Sequence, residues 1–222
     1  MDESGFRKVD DFRRGALEGY VRLRDVVPLA TPFTVLIDPV NACNFKCTFC
    51  PTGDKELLNK VGRPLGVMPS ELYGKIIDDI AGFPGRLKKL QLYKDGEPLL
   101  NKALPEMVAL ATERRVSEVV ETTTNAALLD AGMAAALIDA ELDAIRISVE
   151  HVHDAGYRQV TQDFADYERI RGNVATLFEL RRKRAAPRKS TSRSSISGSA
   201  RPRSANSTTN SRRSATASTS TA

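Results

Sequence analysis

Apolar residues along this chain fall into short runs rich in β-branched side chains, and these alternate with stretches of helical spacing. Thr34–Val40 (TVLIDPV) has the length and composition of a buried strand. Pro69 and Ser70 open a helix that sets Leu72, Ile76, Ile77 and Ile80 on one face, with Ser70 as its N-cap. Leu87–Tyr93 (LKKLQLY) reads as a second strand, and Leu104, Met107, Val108 and Ala111 form the apolar stripe of the helix after it. Ser117–Thr123 is a third strand and residues 128–140 a third helix. Ala144–Glu150 (AIRISVE) is a fourth strand. Tyr167, Ile170, Val174, Leu177 and Phe178 then line a fourth helix, which runs into Arg181–Arg184. Ahead of all this, residues 10–25 read as a helix carrying Phe12, Leu17, Tyr20 and Val21.

Strand then helix, four times over, predicts an α/β fold with a parallel sheet and crossover helices. Ligands of such sheets bind at the carboxyl ends of the strands. The chemically distinctive residues sit there. Three cysteines follow the first strand and Asp95-Gly96-Glu97-Pro98 follows the second. Asn125 follows the third, and Ser148 and Glu150 close the fourth. Four separate segments therefore converge on one face.

Composition changes the picture at one point. Of 222 residues, 41% are hydrophobic and 27% charged, an ordinary globular mixture. From residue 186 onward, however, the chain is almost wholly Ser, Thr, Ala, Arg, Pro and Asn, with Ile196 its one large aliphatic. Such a segment cannot bury enough apolar surface to offset its ordering entropy, so it is expected to be disordered. The expected organisation is a helical lead-in over 1–29, a core over 30–185 and a tail over 186–222. The net charge of +5 belongs to the tail, which holds seven basic residues and no acidic one. The remainder is close to neutral, which argues against nucleic acid as a partner of the folded part, and no aromatic interleaves the arginines to stack on bases. No stretch is long and apolar enough to span a bilayer, Val26–Ile37 being interrupted by two prolines, and the charged N-terminus lacks a signal-peptide pattern. A cytoplasmic location is expected.

Cys43, Cys47 and Cys50 are the only cysteines and lie within one eight-residue stretch, CNFKCTFC. An odd, tightly spaced set argues for a metal or redox site over a disulfide framework. Zinc in a structural site takes four ligands, and the fourth would have to be remote, with only His151 and His153 available. A cubane iron–sulfur cluster takes four cysteines. Three would leave one iron open to a substrate or cofactor.

The C-x3-C-x2-C spacing on the loop after the first strand, with Phe49 just before the last cysteine, resembles the signature of the radical SAM superfamily. The resemblance covers roughly residues 30–180. It implies a partial (β/α) TIM-like barrel, of which about four β/α units of the usual six are recognisable here. It implies a [4Fe-4S] cluster on Cys43, Cys47 and Cys50, whose open iron is chelated by S-adenosyl-L-methionine. Reductive cleavage of that cofactor then gives a deoxyadenosyl radical for hydrogen abstraction from a substrate. Phe49 would pack near the adenine. Gly96, Glu97 and Pro98 resemble the Gly-Gly-Glu-Pro motif that contacts the methionine amino group, with Asp95 in place of the first glycine. Asn125, Ser148 and Glu150 lie where the family places polar contacts to the ribose and carboxylate. An electron donor such as flavodoxin or ferredoxin is implied. The stretches DPVNACNFKCTFCPTG and GEPLLN look most like the branch that modifies peptides and often carries auxiliary clusters, which suggests a peptide substrate; the absence of any cysteine after Cys50 leaves no ligands in this chain for an auxiliary cluster. Two other readings stay open: a truncated, inactive fragment that at most binds a cluster, and a zinc-binding interaction protein. His151 and His153 are expected to be solvated loop residues, and Lys46 and Lys94 either steer the anionic carboxylate of the cofactor or have no role.

Overall fold

The computed structural model describes residues 23–162 and 166–185. The expected tail over 186–222 and most of the expected N-terminal helix lie outside them; of the latter, only Leu23–Asp25 is described, as a single 3-10 turn. Four strands, β1 (Thr34–Leu36), β2 (Lys89–Gln91), β3 (Val120–Thr124) and β4 (Ala144–Ile147), form one sheet. Their spatial order is β1-β2-β3-β4 and every pairing is parallel. Each strand is shorter than its apolar run. In β1 and β4 the rest of the run lies past the carboxyl end, where the loops of the site begin, whereas β3 starts three residues into its run at Val120.

Helices connect and cover the strands: α1 (Lys55–Lys60), α2 (Ser70–Ala81), α3 (Leu104–Glu113), α4 (Ala131–Asp139), α5 (Asp154–Thr161) and α6 (Tyr167–Ala185). In α3 the stripe Leu104, Met107, Val108 and Ala111 is buried as its spacing predicts. In α2 the buried face is rotated: Tyr73, Ile77 and Ile80 point inward, while Leu72 is exposed. Tyr73 occupies the inner position because its hydroxyl donates to the Met107 carbonyl of α3 at 2.9 Å, which satisfies it inside the core. Ser70 is the first helical residue and not the cap; Pro69 occupies the cap position without a side-chain hydrogen bond. At α4 the Asp130 carboxylate accepts from the Met133 backbone N–H at 2.8 Å, a true N-cap. Along α6, Ile170 and Leu177 are buried but Phe178 is 65% exposed, so it does not share the apolar face assigned to it.

Sheet register divides the strand residues between two faces. Val35, Leu90, Val120, Thr122, Ile145 and Ile147 pack toward the helices and the central core. Thr34, Leu36, Lys89, Gln91, Glu121, Thr123, Ala144 and Arg146 occupy the opposite face by alternation, in the registers of the three parallel pairs. The first face is closed by Leu87, Leu92, Leu99, Leu104, Leu129 and Leu137, all 0–1% exposed. The helices thus fix the strands from one side and leave the strand ends to carry chemistry. No helix among the described residues is long and apolar enough to cross a membrane.

Candidate active site at the strand ends

A cavity of about 140 Å³ opens at the carboxyl ends of the strands. Cys43, Cys47 and Cys50 line it, together with Phe49, Gly96, Glu97, Asn125, Ser148 and Glu150. The structure therefore brings the sequence-assigned residues to one place, apart from Pro98, which starts the short 3-10 turn Pro98–Leu100 behind Glu97 and is buried. Tyr93, Asp95, Thr123 and Thr124 join the lining. Larger hollows exist at the amino end of the strands and beside the Arg63–Asp95 pair, but they contain none of the cysteines.

The cysteine loop is held from two sides. On one side it lies against the Asp95–Pro98 loop: Glu97 N–H donates to the Ala42 carbonyl at 2.8 Å, and Gly96 N–H reaches the Asp38 carboxylate at 3.4 Å. A Cβ on Gly96 would overlap the Val40 carbonyl oxygen and come within 2.8 Å of that of Ala42, so only glycine lets the two backbones meet. On the other side, Lys46 N–H donates to the Thr161 carbonyl at 3.0 Å and Thr48 N–H to the Val160 carbonyl at 2.9 Å, both at the end of α5. Phe45 drives this docking. It is buried and meets Tyr157 of α5 edge to face at 6.4 Å. Gly53 lets the following turn press on the Lys46 backbone, where a Cβ would approach to 2.8 Å.

Glu97 is the most deeply placed charged group of the site, 2% exposed. Its Oε1 accepts from the Thr124 hydroxyl at 2.6 Å and Leu99 N–H at 3.1 Å, and its Oε2 from Asn125 N–H at 2.8 Å. Burial pushes its carboxyl up, and these three donors oppose the shift. The side chain thus ties the β2 loop to the end of β3, and its carboxylate has little capacity left for a ligand. Asn125 in turn donates to the Asn44 side chain at 2.8 Å and stands 4.0 Å from Cys43 Sγ. Asp95, which replaces a glycine of the resembled motif, pairs with Arg63 at 2.8 Å and Lys94 at 3.2 Å. Lys94 is exposed and its ammonium is paired with this carboxylate. His151 and His153 stack edge to face at 4.2 Å, and the His153 ring accepts Gly156 N–H at 3.1 Å as the N-cap of α5.

Phe45, Asn44, Thr124, Tyr157 and α5 were not legible from sequence spacing. The helix α5 has eight residues with Val160 its one large aliphatic, so its amphipathic pattern is too short to stand out in sequence.

Electrostatics define what the site accepts. Burial raises the Cys43 thiol, and burial, then Glu150 and the neighbouring cysteines, push Cys47 up to about 11. Burial also raises Glu150. The Cys43 and Cys47 thiols, held up by burial and by the negative charges of Glu97, Glu150 and the neighbouring cysteines, are relieved by a cationic group. Among the described residues no three His, Cys, Asp or Glu groups are gathered tightly enough to hold a single metal ion. The donor set, three thiols on a common rim with polar side chains of β3 and β4 opposite, fits a cluster with one open iron.

Comparison with known proteins agrees with this chemistry. The family model described as the Radical SAM superfamily matches residues 37–191. The GTP 3',8-cyclase of Chlorobaculum tepidum is 30% identical over 128 residues, covering 58% of this chain and 36% of that protein. The PqqA peptide cyclase of Granulibacter bethesdensis is 30% identical over 122 residues, covering 54% of this chain and 30% of its own. This chain thus spans well under half the length of these relatives. Among solved structures, native anSMEcpe with bound AdoMet superposes with a TM-score of 0.56 at 17% identity, covering 67% of this chain and 41% of that one, and shares the fold.

Proposed function

This chain belongs to the radical SAM superfamily, whose members use a [4Fe-4S] cluster and S-adenosylmethionine, and we propose that it forms the cofactor-binding part of an enzyme of that chemistry. The observation that carries the reading is the convergence of Cys43, Cys47 and Cys50 with Glu97, Asn125, Ser148 and Glu150 around one cavity at the strand ends. When bound, cluster and cofactor supply, after one-electron reduction, a deoxyadenosyl radical that removes a hydrogen atom from the substrate, with methionine released.

The chain's own residues do the positioning. Cys43, Cys47 and Cys50 hold the cluster on a loop clamped between the Gly96 turn and α5. The Phe45 N–H lies 3.4 Å from Cys43 Sγ and stabilises its thiolate. The Gly96-Glu97-Pro98 turn presents its backbone toward the cofactor's amino group, because the Glu97 carboxylate is committed to Thr124, Leu99 and Asn125. Asn125, Ser148 and Glu150 supply polar contacts to ribose and carboxylate. Phe49, 67% exposed at the rim, covers the adenine and sheds water when it does so. A low-potential donor of flavodoxin or ferredoxin type delivers the electron, and a reducing cytoplasm suits three free thiols. The relatives' names include a nucleotide cyclase and a peptide cyclase, so a peptide is one of several substrate classes that the comparisons suggest.

The test is anaerobic reconstitution with iron and sulfide, reduction, addition of S-adenosylmethionine and chromatography of deoxyadenosine. Deoxyadenosine from this chain, absent from the Cys43→Ala, Cys47→Ala, Cys50→Ala variant, is the expected result. Cluster assembly without deoxyadenosine would favour the inactive-fragment reading instead.

A further inference from the structure

The face of the sheet opposite the core carries an ion-pair group that the cysteine site does not use. Glu121 on β3 is 3% exposed. Lys89 of β2 stands 3.1 Å from its Oε2, and Arg146 of β4 stands 3.3 Å from its Oε1. One buried carboxylate thus faces two cations from the strands on either side, and the group keeps a net positive charge. The pairing with Arg146 is poor: its Nη2 reaches Oε2 only at 3.4 Å, and Glu121 Oε1 is buried with no hydrogen-bond donor. A guanidinium offers five N–H donors in a fork that matches an oxyanion, and Arg146 spends only the Nη2 end on the described residues. The cations are the accessible part of the group. The Lys89 side chain is 33% exposed and that of Arg146 is 59% exposed, against 4% for Glu121.

Strand alternation places this group below the cysteine cavity. Thr123 and Ser148 line that cavity, and Glu121 and Arg146 lie two residues earlier on the same strands and hence on the same face. Two residues of strand amount to about 7 Å. A small molecule could therefore rest an anionic group on Arg146 and Lys89 while another part of it reaches the cavity. Burying a charge beside two cations with unspent donors costs far less than burying it alone.

We propose that Lys89 and Arg146 form an oxyanion site that binds a phosphate or carboxylate group of the substrate, with Glu121 as the positioning residue that holds the two cations together across β2, β3 and β4. That the anion belongs to a substrate rests on the radical chemistry proposed above; the binding itself does not. The probe is inorganic phosphate, and acetate in a parallel arm, titrated into the full chain without cluster at constant ionic strength. Binding is followed by NMR of the arginine side-chain N–H groups, with Arg146 assigned by its loss in Arg146→Gln. A saturable shift of Arg146 is expected, weakened about tenfold or more in Arg146→Gln, read on the remaining shifts, and in Lys89→Met. Arg171→Gln, at an exposed pair with Glu168 on α6, should bind as the wild type does. Saturation by phosphate alone assigns a phosphate group, and saturation by acetate alone a carboxylate; either supports the site. Shifts that never saturate, or binding equal in wild type, Arg146→Gln and Lys89→Met, would overturn it. Because no cluster is present, a negative result here leaves the deoxyadenosine assay untouched, and the reverse holds.

Discussion

Replacing Gly96 with alanine probes how the cysteine loop is held. The added methyl has nowhere to go, because its neighbours are the Val40 and Ala42 carbonyls, which are backbone and cannot rotate aside. Clearing the overlap requires β1 and the start of the cysteine loop to move away from the β2 loop. Overpacking of this kind costs about 1–3 kcal/mol. The same movement stretches the 2.8 Å hydrogen bond from Glu97 N–H to the Ala42 carbonyl, worth about 1 kcal/mol. The sum is about 2–4 kcal/mol, which for a domain of this size lowers the melting temperature on the order of 10 °C. The chemical effect is larger than the thermal one, since a displacement of about 1 Å at a reacting centre costs about 10²-fold in rate. Urea denaturation gives the stability, and iron content and deoxyadenosine formation after reconstitution give the function. A Gly96→Ala protein with wild-type stability and wild-type deoxyadenosine formation would refute the close approach.

Thr124→Val removes the 2.6 Å hydrogen bond to buried Glu97 and should cost about 1–3 kcal/mol in urea denaturation. Phe45→Ala empties the contact between the cysteine loop and α5; it should cost about 3–5 kcal/mol and lower iron loading, measured by denaturation and by metal analysis. Asp95 gives a pH prediction. Its partial burial would push the carboxyl up, but the hydrogen bonds and charges of Lys94 and Arg63 outweigh that and hold it below the usual aspartate range. Its folded value lies below the unfolded one, so the stabilisation is present above the ordinary aspartate range and is lost as pH falls through the folded value. Both side chains are about a third exposed, so Arg63→Met should cost only about 0.5–1 kcal/mol at neutral pH, and the gap from wild type should close on acidification.

Much of this architecture was legible because local and global signals agreed. The Leu104–Ala111 stripe and the β-branched runs before each loop have a single consistent solution, a parallel sheet with covering helices. Three cysteines in eight residues need no tertiary information to be noticed. What escaped notice depends on contacts between segments. The rotation of α2 follows from a hydroxyl partner on α3, 34 residues away. Glu97 reads as a ligand contact in sequence, whereas Thr124 and Asn125 occupy its carboxylate in space. Phe178 fits the helical period of α6 but faces outward, because α6 packs against α4 and buries the stripe of Ile170 and Leu177 instead. The Lys89–Glu121–Arg146 group draws on three strands, none of which signals it alone.

Metal and sulfide content of the anaerobically reconstituted chain tests the central assignment most directly. About four iron and four sulfide per chain, lost together in the Cys43→Ala, Cys47→Ala, Cys50→Ala variant, is the predicted result. About one zinc per chain with no sulfide, or iron retained after all three thiols are removed, would contradict it.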